Sequence, residues 1–128
     1  MSPREQLAQE LERAAREMAP LRLDQARRCI AGAFAVRTYP SRLLVVLSDV
    51  YAGAAARLEA RADPEDCSRI ALYGDLADAL TKAAAAPLDA DEAERIAATE
   101  QLLGLASAGD GATEVLADEQ TAAPRRRA

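Results

Sequence analysis

Alanine occupies 32 of the 128 positions, and this share constrains the fold more than any other feature of the sequence. Alanine has the highest intrinsic helix propensity, and its small side chain lets neighbouring helices approach closely. Aromatic residues make up only 3% of the chain, so a core must be built from Leu, Ile, Val and Ala. The sequence therefore predicts a single all-α domain of closely packed helices.

Several segments carry the residues that begin helices. Residues 2–5, Ser-Pro-Arg-Glu, place a hydroxyl cap, a first-turn proline and a capping-box acid in order. Residues 63–66, Asp-Pro-Glu-Asp, repeat the cap and proline, Asp89 is followed by Glu92 three residues later, and Asp24 is the predicted cap of another helix. The predicted helices span residues 2–18, 24–37, 40–62, 63–86 and 89–108.

Apolar residues repeat at helical spacing and predict which faces turn inward. The third predicted helix is the most apolar, so we expect it at the centre of the bundle. The predicted inward faces of the second and third helices are Ala26, Ile30, Ala33 and Phe34, and Leu43, Leu47, Val50, Ala54 and Leu58. Cys29 and Cys67 have no metal-binding spacing and are expected to be buried. We predict one antiparallel bundle of about five helices over residues 1–109 and a mobile tail over residues 110–128.

Charge is unevenly distributed along the chain. Residues 22–42 hold five arginines against one aspartate, whereas residues 63–119 hold fourteen acids against three basic residues. The acidic half would repel a nucleic-acid backbone, and no aromatic residues alternate with the arginines for base stacking, so we expect no nucleic-acid partner. The basic segment is expected to pair either with the acidic fourth or fifth helix of its own chain or with the acidic face of a partner or second copy.

The side chains offer little for catalysis. The chain has no histidine and one lysine, so serine and cysteine nucleophiles lack an imidazole base. Asp75 and Asp78 lie three apart and are expected to be exposed rather than to form a carboxylate site. Asp49 follows the most apolar run and is expected near the core, within reach of an arginine of the second helix. We therefore predict no catalytic, cofactor-binding or metal-binding residue and no cofactor.

Residues 40–49, Pro-Ser-Arg-Leu-Leu-Val-Val-Leu-Ser-Asp, resemble the opening helix of flagellin-type export chaperones, in which a proline precedes a leucine-rich helix with a late aspartate. Ser48 stands where that family prefers tyrosine, and 39 residues precede the segment. The resemblance implies a helical bundle that receives an amphipathic segment of another protein. No site residue is carried over from it.

These features predict a non-enzymatic protein-binding module, of the adaptor, regulator or export-chaperone type, with an alanine- and leucine-lined face on helices two to four. The alternatives are a self-assembling component of a phage or secretion apparatus and, least favoured, a carboxylate-based metal-dependent enzyme. The longest apolar run, residues 43–47, is too short for a membrane span, so we expect a cytoplasmic protein. The candidate partner-binding residues are Arg27, Arg28, Arg37, Val45, Val46 and Tyr51.

Overall fold

The computed structural model describes residues 1–104, and this part of the chain forms five α-helices and no strand. The predicted all-α fold is confirmed. The helices are α1 (Pro3–Met18), α2 (Leu23–Thr38), α3 (Ser41–Arg61), α4 (Cys67–Ala85) and α5 (Ala90–Leu102), with a 3₁₀ turn (Pro64–Asp66) before α4. The predicted mobile tail, residues 110–128, lies outside the described residues.

Side-chain caps begin two of the five α-helices, α1 and α5, and Asp63 caps the 3₁₀ turn before α4. The Ser2 hydroxyl accepts a hydrogen bond from the Glu5 N–H at 3.1 Å, and Asp89 and Glu92 form a reciprocal capping box. The start of α2 differs from the prediction, because Arg22 is its N-cap and Asp24 lies within the first turn without capping it. An acid in the first turn still interacts favourably with the helix dipole.

Helix α5 ends at Leu102, earlier than the predicted end near residue 108. Gly104 follows with a φ of +72°, a left-handed conformation that glycine adopts readily and that commonly terminates helices. The Leu102 side chain is 88% exposed, so no packing at this position favours continuing the helix.

The helices pair as two antiparallel hairpins, α1 with α2 and α3 with α4. Arg37 near the end of α2 binds Glu5 and Glu12 of α1. The Ser48 hydroxyl, early in α3, donates a hydrogen bond to the carbonyl of Ala77, late in α4, at 2.9 Å. These contacts run in opposite directions along each pair, which confirms the predicted antiparallel arrangement.

The centre of the bundle is formed by α2 and α4, not by α3 as predicted. Helix α4 packs against α1, α2 and α3, whereas α3 packs mainly against α4. Gly32 of α2 permits this arrangement, because a Cβ atom there would lie 3.0 Å from Leu76 Cδ2 and 3.4 Å from Leu11 Cδ1. Small residues therefore decide which helices meet, and α3 lies at the side of the bundle.

The buried face of α3 is rotated from the predicted one. Val50 is 45% exposed, whereas Leu44, Ser48 and Ala55 are buried together with Leu58. The Ser48 hydroxyl is satisfied by the Ala77 carbonyl and by Thr81 Oγ1 at 2.6 Å. A polar residue can occupy a core position when its hydrogen bonds are complete, and hydrophobic spacing does not detect this case.

The two cysteines differ in environment. Cys29 is fully buried, and burial raises the pKa of its thiol, with a smaller contribution from Asp75. Cys67 is exposed at the first position of α4, so the prediction that it is buried is wrong. Residues at the first turn of a helix that follows a surface loop face solvent more readily than residues within it. Both thiols are free.

Candidate interaction surface

Helix α2 carries apolar residues on two opposite faces. Its inner face is built from small residues and one valine: Ala26, Cys29, Gly32, Ala33, Ala35 and Val36. Its solvent side carries Leu23, Ile30 and Phe34, which are 52%, 56% and 58% exposed. Positions separated by seven and four residues fall on one helical face, so these three side chains form a row, which we call the outer stripe.

The prediction that Ile30 and Phe34 are buried is therefore wrong. Helix α2 lies so close to α1 and α4 that its inner face is built mainly from small side chains, with Val36 the largest, and at Gly32 even a Cβ atom would lie 3.0 Å from Leu76. The larger apolar residues take the opposite side. Phe34 makes an edge-to-face contact with Tyr39, with ring centroids 6.0 Å apart, and otherwise faces solvent.

A groove of about 380 Å³ lies beside the outer stripe, between α1 and α2. Ala15, Ala19 and Ala26 line it together with two residues of the stripe, Leu23 and Ile30. The charged side chains that line it are Glu12, Arg16 and Arg27. The chain thus presents an alanine- and leucine-lined groove on α1 and α2. The sequence predicted such a face on helices two to four.

A second concavity, of about 400 Å³, lies on the other side of α2, where α2 faces α3 and α4. We call it the arginine cleft. Its lining residues are Asp24, Gln25, Arg27, Arg28, Ala31, Tyr51, Arg69 and Tyr73. Arg27 lines both the groove and the cleft, so the two depressions are adjacent along α2.

Contacts within the arginine cleft hold several of its side chains in place. The Arg28 guanidinium carbon lies 5.3 Å from the centroid of the Tyr73 ring, a cation–π contact. Tyr51 and Tyr73 have ring centroids 5.7 Å apart. Arg69 forms an ion pair and hydrogen bond with the buried carboxylate of Asp66, which raises the pKa of the arginine.

Gln25 ties the wall of the cleft to α4. Its side-chain amide donates to the Ser68 hydroxyl at 3.0 Å. Its Oε1 atom is buried and has no hydrogen-bond partner among residues 1–104. Buried polar atoms without a hydrogen-bond partner are uncommon, so this amide oxygen is an unsatisfied acceptor in the wall of the cleft.

Five of the six candidate partner-binding residues fall into two groups. Arg27, Arg28 and Tyr51 meet in the arginine cleft. Val45, 47% exposed, and the half-buried Val46 lie near the start of α3, which is at the other end of the bundle. From the sequence, Arg27 and Arg28 were selected for their charge and Tyr51 for its place in an apolar segment of another helix, so nothing in the sequence linked the three.

Arg37, the remaining candidate, is bound within its own chain. Its guanidinium donates to Glu5 and to Glu12, with shortest nitrogen–oxygen distances of 2.7 Å to each. Hydrogen bonds from Arg37 lower the pKa of both glutamates, and hydrogen bonds to them raise the pKa of Arg37. Arg37 is therefore paired within its own chain, but with α1 and not with the fourth or fifth helix that the sequence predicted.

Arg4 is a structural residue that the sequence analysis missed, since residues 2–5 were interpreted only as a helix start. Its side chain is fully buried. It donates to the carbonyls of Ala83 at 3.1 Å, Val36 at 3.0 Å and Tyr39 at 2.7 Å, and to the Ser41 hydroxyl at 3.1 Å. Burial lowers the pKa of this guanidinium. The side chain thus satisfies carbonyl groups at the ends of two helices.

The carboxylates considered for catalysis lie apart. Asp75, Asp78 and Asp49 are all exposed, so the prediction that Asp49 lies near the core is wrong. The rotation of α3 described above turns position 49 outward and position 48 inward. Within residues 1–104, no three or more Cys, Asp or Glu side chains are grouped as metal ligands would be.

Every helix of residues 1–104 is too short or too polar to span a lipid bilayer. Comparison of the chain with protein-family models, curated proteins and solved structures found no match. The resemblance of residues 40–49 to flagellin-type export chaperones stays a prediction. In the structure this segment is the N-cap and first two turns of α3.

Proposed function

We propose that this chain is a non-enzymatic protein-binding module whose outer stripe receives an amphipathic helix of a partner protein. The observation that carries the proposal is the row formed by Leu23, Ile30 and Phe34, each more than half exposed on one face of α2. Single exposed apolar residues are ordinary, whereas a row at helical spacing beside a groove is typical of helix-in-groove recognition.

Charge favours a partner helix with acidic residues next to its apolar ones. Arg16 and Arg27 line the groove beside the stripe. Its acid, Glu12, is already paired with Arg37. Among residues 1–104, Arg16 and Arg27 form no ion pair, so the groove offers positive charge beside its apolar residues, and complementary acids on the partner would fix its orientation and raise its association rate.

The stripe can be altered without disturbing the bundle, which makes the proposal testable. Ile30 and Phe34 point away from the inner face of α2, so charged substitutions there keep the core intact. Burial of one isoleucine in an interface contributes about 1.5–3 kcal/mol, which corresponds to a tenfold or greater change in affinity. The substitution Ile30→Glu should remove most binding.

The experiment places a photo-crosslinking amino acid at position 34 in the full-length chain and, as a matched control, at position 50. Val50 is 45% exposed but lies on α3, away from the stripe. We expect adducts from position 34 in a cell extract, with the cross-linked peptide showing apolar residues at helical spacing and a net negative charge. Adding Ile30→Glu should abolish these adducts.

Equal adduct formation from positions 34 and 50, or adducts that survive Ile30→Glu, would contradict the proposal. Light scattering at low and high salt tests the self-assembly alternative. A monomer at both salt concentrations supports a separate partner. An oligomer that Ile30→Glu dissociates would make a second copy of the chain the occupant of the stripe and would replace the proposal.

A further inference from the structure

The arginine cleft carries positive charge that its own chain leaves partly unpaired. Arg27, Arg28 and Arg69 line it, against one acid, Asp24. Among residues 1–104, Arg69 is the member of this trio that forms an ion pair, through Asp66, whereas Arg27 and Arg28 form none. Guanidinium groups without a carboxylate partner, gathered in one concavity, favour an external anion.

Two of these guanidinium groups are held in place before any ligand arrives. The Tyr73 ring lies against Arg28, and Asp66 holds Arg69. Tyr73 and Asp66 are themselves buried, so their positions are set by the core. An anchored guanidinium loses less side-chain freedom on binding than a free surface arginine, and its planar fork matches the oxygens of phosphate groups.

We infer that the arginine cleft binds a small phosphorylated molecule, with its phosphate on Arg27 and Arg28 and its organic part against Tyr51. Because Asp66 neutralises Arg69, the cleft offers a ligand the two guanidinium groups of Arg27 and Arg28, with Asp24 as the acid among the lining residues. A phosphate monoester carries about −1.5 to −2 at neutral pH and has three acceptor oxygens that can bind both guanidinium groups, whereas a carboxylate has two oxygens and a single charge.

The size and the remaining lining of the cleft agree with a small molecule. Its volume of about 400 Å³ falls in the range of small-molecule sites. Tyr51 is partly exposed and Ala31 is exposed, so a ligand can contact apolar surface next to the guanidinium groups. Arg27 lines both the cleft and the groove, so the cleft is adjacent to the proposed helix-docking surface, whereas Arg28, Tyr51 and Arg69 line the cleft and not the groove.

The test is a nuclear magnetic resonance titration of the full-length chain with three probes: adenosine 5′-monophosphate, adenosine and inorganic phosphate. We expect the nucleotide to shift backbone signals of residues 24–31, 51 and 69–73 with a dissociation constant below about 1 mM. Inorganic phosphate should shift the same arginine signals more weakly, and adenosine should shift none. Added salt should weaken the binding of the nucleotide, because it screens the charges.

Matched arginine variants assign the effect to the cleft. Arg28→Ala should raise the dissociation constant of the nucleotide at least about tenfold. Arg28→Lys keeps the positive charge but lacks the planar guanidinium group, and it should raise the dissociation constant less. Arg13→Ala removes an exposed arginine of α1 outside the cleft and should change nothing. If Arg28→Ala proves unfolded by circular dichroism, Arg27→Ala replaces it, because Arg27 is exposed.

Three results would overturn the inference. If adenosine bound with the same affinity as adenosine 5′-monophosphate, the phosphate group would have no role in binding. Equal effects of the cleft and Arg13 variants, or shifts spread over exposed arginines outside the cleft, would show general charge attraction. No shift with any phosphate probe would reject the site.

Discussion

The guanidinium Nε of Arg4 donates a hydrogen bond of 3.1 Å to the carbonyl oxygen of Ala83 and so joins the first turn of α1 to the last turns of α4. The same side chain reaches Val36 and Tyr39 at the end of α2. Helix ends carry carbonyl groups with no partner inside the helix, and here a single buried cation serves two such ends.

Arg4→Ala should destabilise the bundle by about 3 kcal/mol, because it removes charge-assisted hydrogen bonds and leaves buried carbonyls without a donor. Urea unfolding followed by circular dichroism measures the change. The control Arg13→Ala alters an exposed arginine of the same helix and should change stability by less than about 0.5 kcal/mol. Similar losses from both variants would show that the Arg4 contacts contribute nothing specific.

Gly32→Ala and Gly74→Ala should have opposite effects. Both glycines lie within helices, so alanine gains up to about 1 kcal/mol of helix propensity at each. At Gly32 the new Cβ would lie 3.0 Å from the fully buried Leu76 side chain, and overpacking of about 1–3 kcal/mol outweighs the gain. At Gly74 nothing lies within 4 Å. Thermal unfolding midpoints should fall for the first variant and rise for the second.

Acid should destabilise the α1–α2 hairpin through Glu5 and Glu12. Hydrogen bonds from Arg37 hold the pKa of both carboxyl groups below the usual value. Their contribution to the free energy of unfolding is therefore complete above the pKa that glutamate has in the unfolded chain, about 4.3. It is lost as the pH falls through the lower pKa of the folded chain. These side chains are about one-third exposed, so each pair contributes at most about 1 kcal/mol.

Thermal midpoints measured from pH 7 downward should decline below about pH 5, and the Glu5→Gln and Glu12→Gln double variant should show a shallower decline. Glu10→Gln changes an exposed glutamate of the same helix and should follow the parent curve. An unchanged slope in the double variant would remove Arg37 as the cause.

A thiol reagent at neutral pH should modify one cysteine of the native chain. Cys67 is exposed, whereas Cys29 is fully buried and burial raises the pKa of its thiol, so its reactive thiolate is scarce. Mass spectrometry should record one adduct before denaturation and two after it. The Cys67→Ser variant should then remain unmodified in the native state. Modification of both cysteines at equal rates would show that α2 leaves the core readily.

Much of the fold is local and could be predicted from the sequence. Ser2, Asp63 and Asp89 cap their helices or turn with their own side chains, as expected. The orientation of α2 could not be predicted, because hydrophobic spacing assigns large side chains such as Phe34 to the core. In this bundle the core around α2 excludes them through close helix contacts, which depend on residues far apart in the sequence.

The candidate site was predicted in part. Arg27 and Arg28 were recognised as a basic pair, but their meeting with Tyr51 and Arg69 depends on how three separate helices, α2, α3 and α4, pack. The burial of two polar residues, Ser48 and Arg4, could not be predicted either. A polar side chain enters the core only when partners on other helices complete its hydrogen bonds, and no local pattern records those partners.

The division of α2 into a small-residue inner face and a large-residue outer stripe separates the residues that hold the bundle together from those that face solvent. Selection can change Leu23, Ile30 or Phe34 without altering the helix contacts that Gly32 and the inner alanines make. The outer stripe can therefore diverge among descendants of this chain, one residue at a time, while the bundle stays the same.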